Sequence, residues 1–307
     1  MGKQKKGRDI SGILLLDKPL GLSSNQALQQ VKKLYQAQKA GHTGSLDPLA
    51  TGVLPICFGE ATKFSQYLLN ADKVYLTRIR LGEKTSTGDS EGEIIEKRPV
   101  NFMFESLVEI LSQFTGEQMQ IPSMYSAIKQ NGQPLYKLAR QGIEVERAPR
   151  AIVVTELRLV SERTLFEEKH EFELYVHCSK GTYIRNLGED IGEAAGCGAH
   201  LLSLRRLKAG QFDEMHTFTR LELHRDDYEK LDAFLLPVDA ALYQFPKIIL
   251  NEKQAFELSF GRSVQLIQSS ISEGTLRLYS ESGGTFLGLG ELDNARVLSV
   301  KRLLRTN

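Results

Sequence analysis

The chain contains no tryptophan, only three cysteines, and no apolar run approaching the ~20 residues that a membrane span requires. Cys57, Cys178 and Cys197 are widely spaced, odd in number and form no C-x-x-C pair. That usage argues against a disulfide framework and against a zinc site, and it fits a reducing compartment. The N-terminus is basic (Lys3, Lys5, Lys6, Arg8), yet the apolar stretch Ile13–Leu16 is too short for a signal-peptide core. The expectation is a cytoplasmic protein without membrane segments. There is no internal repeat and no low-complexity tract. Nor is there an excess of one charge: the net value of +1 argues neither for nor against a nucleic-acid partner. The distribution is more informative. Lys129, Lys137, Arg140, Arg147 and Arg150 fall in the stretch 123–150, Arg205, Arg206 and Lys208 cluster, and so do Lys301, Arg302 and Arg305, while acids gather in 83–96 and 213–232. Solvated faces would account equally well for such runs.

What is present is an ordinary globular composition, 41% apolar and 25% charged, over 307 residues. That length suits one large domain with a small appendage, because single cores stop growing at about 250–300 residues. Gly12–Leu16 reads as a buried strand closed by the turn residues Asp17-Lys18-Pro19-Leu-Gly21. Ser23 or Ser24 can cap a helix whose apolar positions Ala27, Leu28, Val31, Leu34 and Tyr35 recur at helical spacing. Lys39–Gly59, with four glycines, Pro48 and Pro55, reads as a structured loop with little regular pairing, and Glu60–Leu69 as helix. Val74–Gly82 alternates as a strand and Phe104–Phe114 has helical spacing. The weakly apolar, basic stretch 123–150 reads as an inserted arm with a turn at Asn131-Gly132 and a helix near Leu135–Arg140. Strands are expected at Val153–Val160 and Phe172–Cys178, joined by a charged loop. A helix follows from Thr182 to Gly196 or Gly198, then a strand at His200–Leu207 and a helical bridge over Leu221–Leu236. The last ~60 residues hold short strands between glycines, the pattern of a small β-barrel.

Two places can carry chemistry. The glycine-rich segment Gly41-His-Thr-Gly-Ser-Leu-Asp-Pro-Leu-Ala-Thr-Gly52 lacks the Lys and the G-K-[ST] ending of a P-loop, and no dinucleotide fingerprint is present. Asp47 before Pro48 stands out, although an Asp in a turn commonly just accepts backbone N–H bonds. His42 has no carboxylate or Cys57 at a ligand spacing, so a metal is disfavoured. The second place is Cys178-Ser-Lys-Gly-Thr-Tyr-Ile-Arg185, a strand end running into a helix start. Arg185 in a first helical turn opposes the helix dipole, which is easier to understand if it pairs with a carboxylate from elsewhere, Asp47 being one possible donor.

Taken together, Gly12–Pro19, Gly41–Gly52, Gly59-Glu-Ala-Thr-Lys63, Ile121-Pro-Ser-Met-Tyr-Ser-Ala127 and Ser179–Arg185 resemble, in order, the motifs of the bacterial TruB family of tRNA pseudouridine synthases. The resemblance covers roughly residues 8–210, and Gly288-Leu-Gly-Glu291 resembles part of that family's C-terminal domain. It implies an α/β (α+β) pseudouridine-synthase fold: a mixed, largely antiparallel central sheet flanked by helices, an inserted RNA-binding arm and a small PUA-like β-barrel. The implied division is a catalytic domain over 1–245, with the arm at about 123–150, and an RNA-binding domain over 246–307. The implied activity is isomerisation of uridine 55 in the TΨC loop of tRNA, with the tRNA elbow as partner and neither a cofactor nor a metal. A monomer without an obligate protein partner suffices. By motif position Asp47 falls on the nucleophilic carboxylate, Arg185 on its charge partner and Tyr75 on the residue that stacks on the target base. Likewise His42, Tyr183 and Leu204 fall on substrate-binding positions, and Lys18 and Pro19 on residues supporting the catalytic loop. Two rival readings remain: a tRNA-binding or folding chaperone with no catalytic carboxylate, and a nucleoside hydrolase that would release free uracil.

Overall fold

The computed structural model of the protein describes residues 7–126, 128–130, 132–266 and 271–305. Lys3, Lys5, Lys6 and the Asn131 half of the expected turn lie outside the described residues. In chain order the elements are β1 (Gly12–Lys18), α1 (Ser24–Leu34), β2 (Ala40–His42), β3 (Ala50–Phe58), a 3₁₀ turn at Gly59–Lys63, α2 (Ser65–Leu69) and β4 (Lys73–Leu81). The hairpin β5 (Glu83–Thr85) and β6 (Ile94–Lys97) precedes α3 (Phe104–Ser112) and β7 (Gly116–Gln120). The arm carries β8 (Lys129–Gln130), β9 (Gln133–Pro134) and α4 (Leu135–Ala139). Next come β10 (Arg150–Leu159), α5 (Arg163–Lys169), β11 (Glu171–Cys178), α6 (Ile184–Ala194) and β12 (Ala199–Ala209). Short helices α7 (Phe218–Glu222) and α8 (Tyr228–Asp232) lead to β13 (Lys247–Leu250), α9 (Glu252–Ser259), β14 (Val264–Gln265), β15 (Gly274–Ser280), β16 (Phe286–Leu292) and β17 (Val297–Leu303).

The central sheet runs β1-β3-β12-β4-β11-β10-β7, with β2 added to β3. Every pairing is antiparallel except β3 with β12. Its main core joins sheet residues such as Leu14, Val176 and Leu201 to helix residues Ala27, Leu107, Phe166 and Leu187. This is the expected mixed, largely antiparallel sheet flanked by helices. The C-terminal strands form a curled five-stranded sheet, β13-β15-β16-β17-β14, with a core of its own that includes Leu250, Leu258, Leu278 and Leu298. A second apolar cluster joins the two sheets: Ile13, Phe64 and Leu242 pack with Leu289 and Phe286. The Gly59–Lys63 segment latches across the same junction, because Lys63 Nζ donates to the Leu303 carbonyl at 3.0 Å and the Arg305 N–H donates to Glu60 Oε2 at 2.7 Å.

Three stretches differ from the sequence reading. Lys39–Gly59 is not mostly loop: β2 and β3 occupy it, and β3 lies inside the sheet. Proline is normally excluded from an inner strand because it lacks the ladder N–H. On that edge of β3, β12 pairs with Ala50–Gly52 and β2 with Ile56–Phe58, leaving a gap opposite residues 53–55. The Pro55 carbonyl faces this gap and accepts from Thr43 N–H at 3.0 Å, so the ring nitrogen beside it costs no ladder bond. The charged loop before β11 contains α5, held by Phe166 packing on Phe102 and Phe104 and ended by His170 at φ 55. The Leu221–Leu236 bridge is broken into α7 and α8, the second capped by Asp227, whose side chain accepts from Lys230 N–H at 3.1 Å.

Candidate active site

The loop between β2 and β3 carries Asp47, and several independent contacts hold it. Ser23 caps α1 in a capping box with Gln26, which leaves the next serine free for another task. Ser24 Oγ donates to the Leu46 carbonyl at 3.0 Å and lies 2.7 Å from the Leu46 N–H. The Gly21 N–H donates to the Pro48 carbonyl at 2.9 Å, tying the turn after β1 to the loop. Gly52, at φ +99, lets β3 return against β12: a Cβ there would sit 2.1 Å from the Arg206 carbonyl oxygen.

Arg185 enters from the first turn of α6, and its Nη2 lies 2.9 Å from Asp47 Oδ2. The arginine side chain is 6% exposed and the aspartate 42%, so the pair has one dry and one open partner. The guanidinium also donates to the Thr87 carbonyl at 2.9 Å and the Tyr125 carbonyl at 2.7 Å, and its Nε lies 3.7 Å from Asp89 Oδ2. Asp89, buried in the loop of the β5–β6 hairpin, accepts from Thr87 Oγ1 and, at 3.1 Å, from the Glu91 N–H. One guanidinium thus joins two carboxylates to the base of the arm. The α6 entry is completed by Gln120, whose amide accepts from Tyr183 N–H at 2.8 Å and donates to the Tyr183 carbonyl at 3.0 Å.

The charges act on one another. Desolvation raises the pKa of the Asp47 carboxyl above its ordinary value, and Arg185, and less strongly Lys18, oppose that rise. Lys18 is fully buried, donates to the Pro19 carbonyl at 2.8 Å and to the Leu22 carbonyl, and burial brings its ammonium down to about 8. Pro19 therefore meets the site through its carbonyl. Tyr75 on β4 is buried, and its hydroxyl is pushed up first by burial, against the pull of Arg206 and with a smaller upward push from Asp47. Tyr183 precedes α6 and its hydroxyl is likewise raised by burial, with Asp47 among the charges it feels. His42 on β2 is held below its ordinary pKa by burial and by Arg206, so its ring is neutral at pH 7, and its Nδ1 is buried without a hydrogen-bond partner among the described residues. Leu204 is a buried core residue of β12, opposite Thr77 on β4 and Ala50 on β3.

Arg185, Lys18, Tyr75 and Tyr183 thus lie within electrostatic reach of the Asp47 carboxylate. His42 joins the cluster through Arg206, the Pro19 carbonyl holds the Lys18 ammonium, and Leu204 sits in the core two residues before Arg206 on β12. Asp89, Gln120, Ser24 and Arg206 are not marked as site residues by the sequence, where Ser24 reads only as a possible helix cap. Asp89 lies in the acidic stretch 83–96, and Arg206 in a basic cluster, and both read as solvated charge. No group of three or more His, Cys, Asp or Glu among the described residues is arranged to hold a metal ion. Among them, too, no helix is long and apolar enough to cross a membrane.

Residues 32–184 match the family model "TruB family pseudouridylate synthase (N terminal domain)". Residues 185–243 match the "tRNA pseudouridylate synthase B C-terminal domain", and 246–304 match "Pseudouridine synthase II TruB, C-terminal". The chain is 50% identical to the tRNA pseudouridine synthase B of Aeromonas salmonicida (strain A449) over 98% of this chain and 95% of that one. It is 53% identical to the protein of the same name from Methylobacillus flagellatus, over 97% and 96%. Among solved structures, an H/ACA RNP bound to a substrate RNA containing 2′-deoxyuridine superposes with a TM-score of 0.71 at 22% identity, covering 96% of this chain and 85% of that one. A Cbf5-Nop10-Gar1 complex gives 0.71 at 24%, covering 95% and 84%. At that identity the likeness speaks for the fold.

Proposed function

The chain belongs to the TruB family of pseudouridylate synthases, and we propose that its Asp47–Arg185 site isomerises uridine 55 in the TΨC loop of tRNA to pseudouridine. The activity is that of a tRNA pseudouridine synthase, an isomerase. The N1–C1′ bond breaks, the uracil turns, a C5–C1′ bond forms, the C5 proton leaves and N1 gains one. Atoms and electrons balance without redox change, so the reading includes no cofactor.

The observation that carries the proposal is an open carboxylate held by a buried guanidinium at 2.9 Å. Three routes use that carboxylate: attack on C1′, addition to C6, and formation of a glycal-type intermediate. All three need Asp47 ionised while the bound base dries its surroundings. Arg185 opposes the resulting rise in pKa and fixes the direction of the oxygen. The target base must leave its stack, at a cost of a few kcal/mol. Stacking on Tyr75 returns about 1–3 kcal/mol of this. Leu204 offers an apolar wall, Tyr183 a substrate contact, and neutral His42 an aid to flipping. Lys18 and Pro19 support the loop from below.

In this reading the domain of residues 1–245 performs the chemistry, and the arm at about 123–150 and the domain of 246–307 hold the tRNA elbow. Arg185 bonding the Tyr125 carbonyl at the arm's base supports a link between RNA contact and site order. Binding through arm lysines and arginines should weaken as salt rises. The three cysteines, all buried and unpaired, support a cytoplasmic setting, and a monomer without an obligate protein partner is the simplest assembly. The test is tritium release from tRNA carrying 5-³H-uridine, with formation of pseudouridine at position 55 and no free uracil. Folded protein that binds tRNA and releases no tritium would favour the chaperone reading, and release of free uracil the hydrolase.

A further inference from the structure

α6 begins without a cap of its own. A helix start leaves backbone N–H groups without intrahelical acceptors, and a capping box satisfies two of them with the N-cap side chain and the side chain three residues on. Here the N-cap residue is Tyr183, whose side chain makes no capping bond, and Asn186, three residues on, turns its amide away to the Ile121 carbonyl at 2.9 Å. Gln120, the last residue of β7 and 5% exposed, supplies the cap from outside the helix. Its Oε1 accepts from the Tyr183 N–H at 2.8 Å and its Nε2 donates to the Tyr183 carbonyl at 3.0 Å, so one planar amide grips both polar groups of one residue. The same carbonyl opens the helix ladder by accepting from the Leu187 N–H at 3.1 Å. Gln120 stands opposite Arg150, where β7 and β10 release the arm from the sheet. The residues after it extend the grip: the Ile121 carbonyl takes Asn186 and the Tyr125 carbonyl takes Arg185 Nη2 at 2.7 Å.

Tyr183 is extended, at φ −97 and ψ 109, and the helix starts at the next residue, so the chain changes direction at the residue that Gln120 holds. A rotation there would swing Arg185, two residues on, away from its 2.9 Å contact with Asp47. We propose that Gln120 is a positioning residue: by locking the backbone of Tyr183 it sets how α6 starts, and so fixes where Tyr183 meets the substrate and where Arg185 meets Asp47. The inference rests on the pseudouridine-synthase reading above. A misplacement of about 1 Å can cost about 100-fold in rate. The residue type matters as well: ionised glutamate lacks the donor, asparagine the length, and methionine fills the space with neither donor nor comparable acceptor.

The test is single-turnover tritium release and its pH profile in wild type and Gln120→Met, a substitution that keeps the length and removes both bonds. Release should slow by about tenfold or more, while the tRNA Kd changes by less than about threefold. The acid limb of the profile should also move to higher pH than in wild type, because an Arg185 no longer held in place opposes the desolvation of Asp47 less. A residue that merely supports the fold would lower stability to urea and leave the limb where it is. A rate within about twofold of wild type, or an unmoved limb, would overturn the proposal. Should Gln120→Met fail to fold, Gln120→Asn, too short to span both groups, is assayed in its place. Amide hydrogen exchange needs no variant: the Tyr183 N–H should exchange slowly in wild type, and exchange as fast as in an open loop overturns the proposal. Wild type that exchanges slowly there but releases no tritium would instead sink the functional reading.

Discussion

Replacing Arg185 by alanine tests the site at the point where most of its contacts meet. The side chain is 6% exposed and serves Asp47 at 2.9 Å, Asp89 at 3.7 Å, and the Thr87 and Tyr125 carbonyls at 2.9 and 2.7 Å. Breaking a buried ion pair from one side costs about 3–5 kcal/mol, mostly through the charge left behind. Asp47, at 42% exposed, is partly relieved by water, so most of the penalty falls on Asp89, whose side chain is only 4% exposed, and on the two carbonyls. The lower end, about 3 kcal/mol, is the expectation. The sign with pH also follows. Removing the cation lets burial raise the folded-state pKa of Asp47 further, and a carboxyl raised on folding loses stability as pH rises through that value. The variant should therefore recover part of its deficit on acidification. Urea unfolding followed from pH 7.5 down toward the ordinary aspartate value of 3.8 reads both quantities, and single-turnover assays should show a large fall in rate with a modest change in tRNA affinity. A deficit below about 1 kcal/mol that ignores pH would refute the view of Arg185 as the shared counter-ion of two carboxylates.

Other expectations are equally concrete. Gly52→Ala forces φ +99 on an alanine and drives its Cβ to 2.1 Å from the Arg206 carbonyl oxygen, so a loss of about 2 kcal/mol or more is expected in urea titration; a neutral result would mean that β3 and β12 separate freely. The rate–pH profile should show an acid limb above the ordinary aspartate value of 3.8, because burial raises Asp47 and the reaction needs it ionised; a limb at or below 3.8 would contradict this. Lys18 titrates at about 8 rather than 10.5, so wild type should gain stability relative to Lys18→Met as pH rises from about 8 toward 10. A difference independent of pH would show that Lys18 is not desolvated.

The parts of the molecule legible in the sequence are those whose signals are local. β1, α1, β4 and α6 follow from apolar runs, helical spacing, a serine cap and glycine ends. Arg185 could be singled out because an arginine against a helix dipole lacks a local explanation, whereas Asp47, which turn chemistry alone would explain, stood out through the ordered motifs around it. β3 was hidden, since Gly52 and Pro55 mimic a loop when the gap between β2 and β12 cannot be foreseen. Asp89 and Arg206 were missed for the same reason. Their meaning lies in partners far off in sequence, Arg185 for one and the Val53 and Gly44 carbonyls for the other. α5 depends on a single buried residue, Phe166, too little for a periodic signal.

The central claim is that the carboxylate of Asp47 drives isomerisation of a tRNA uridine. Its most direct test compares wild type with Asp47→Asn on one preparation of 5-³H-uridine tRNA. Wild type should release tritium and convert uridine 55, while the variant should bind the same tRNA and release nothing. Continued release by folded Asp47→Asn would contradict the account.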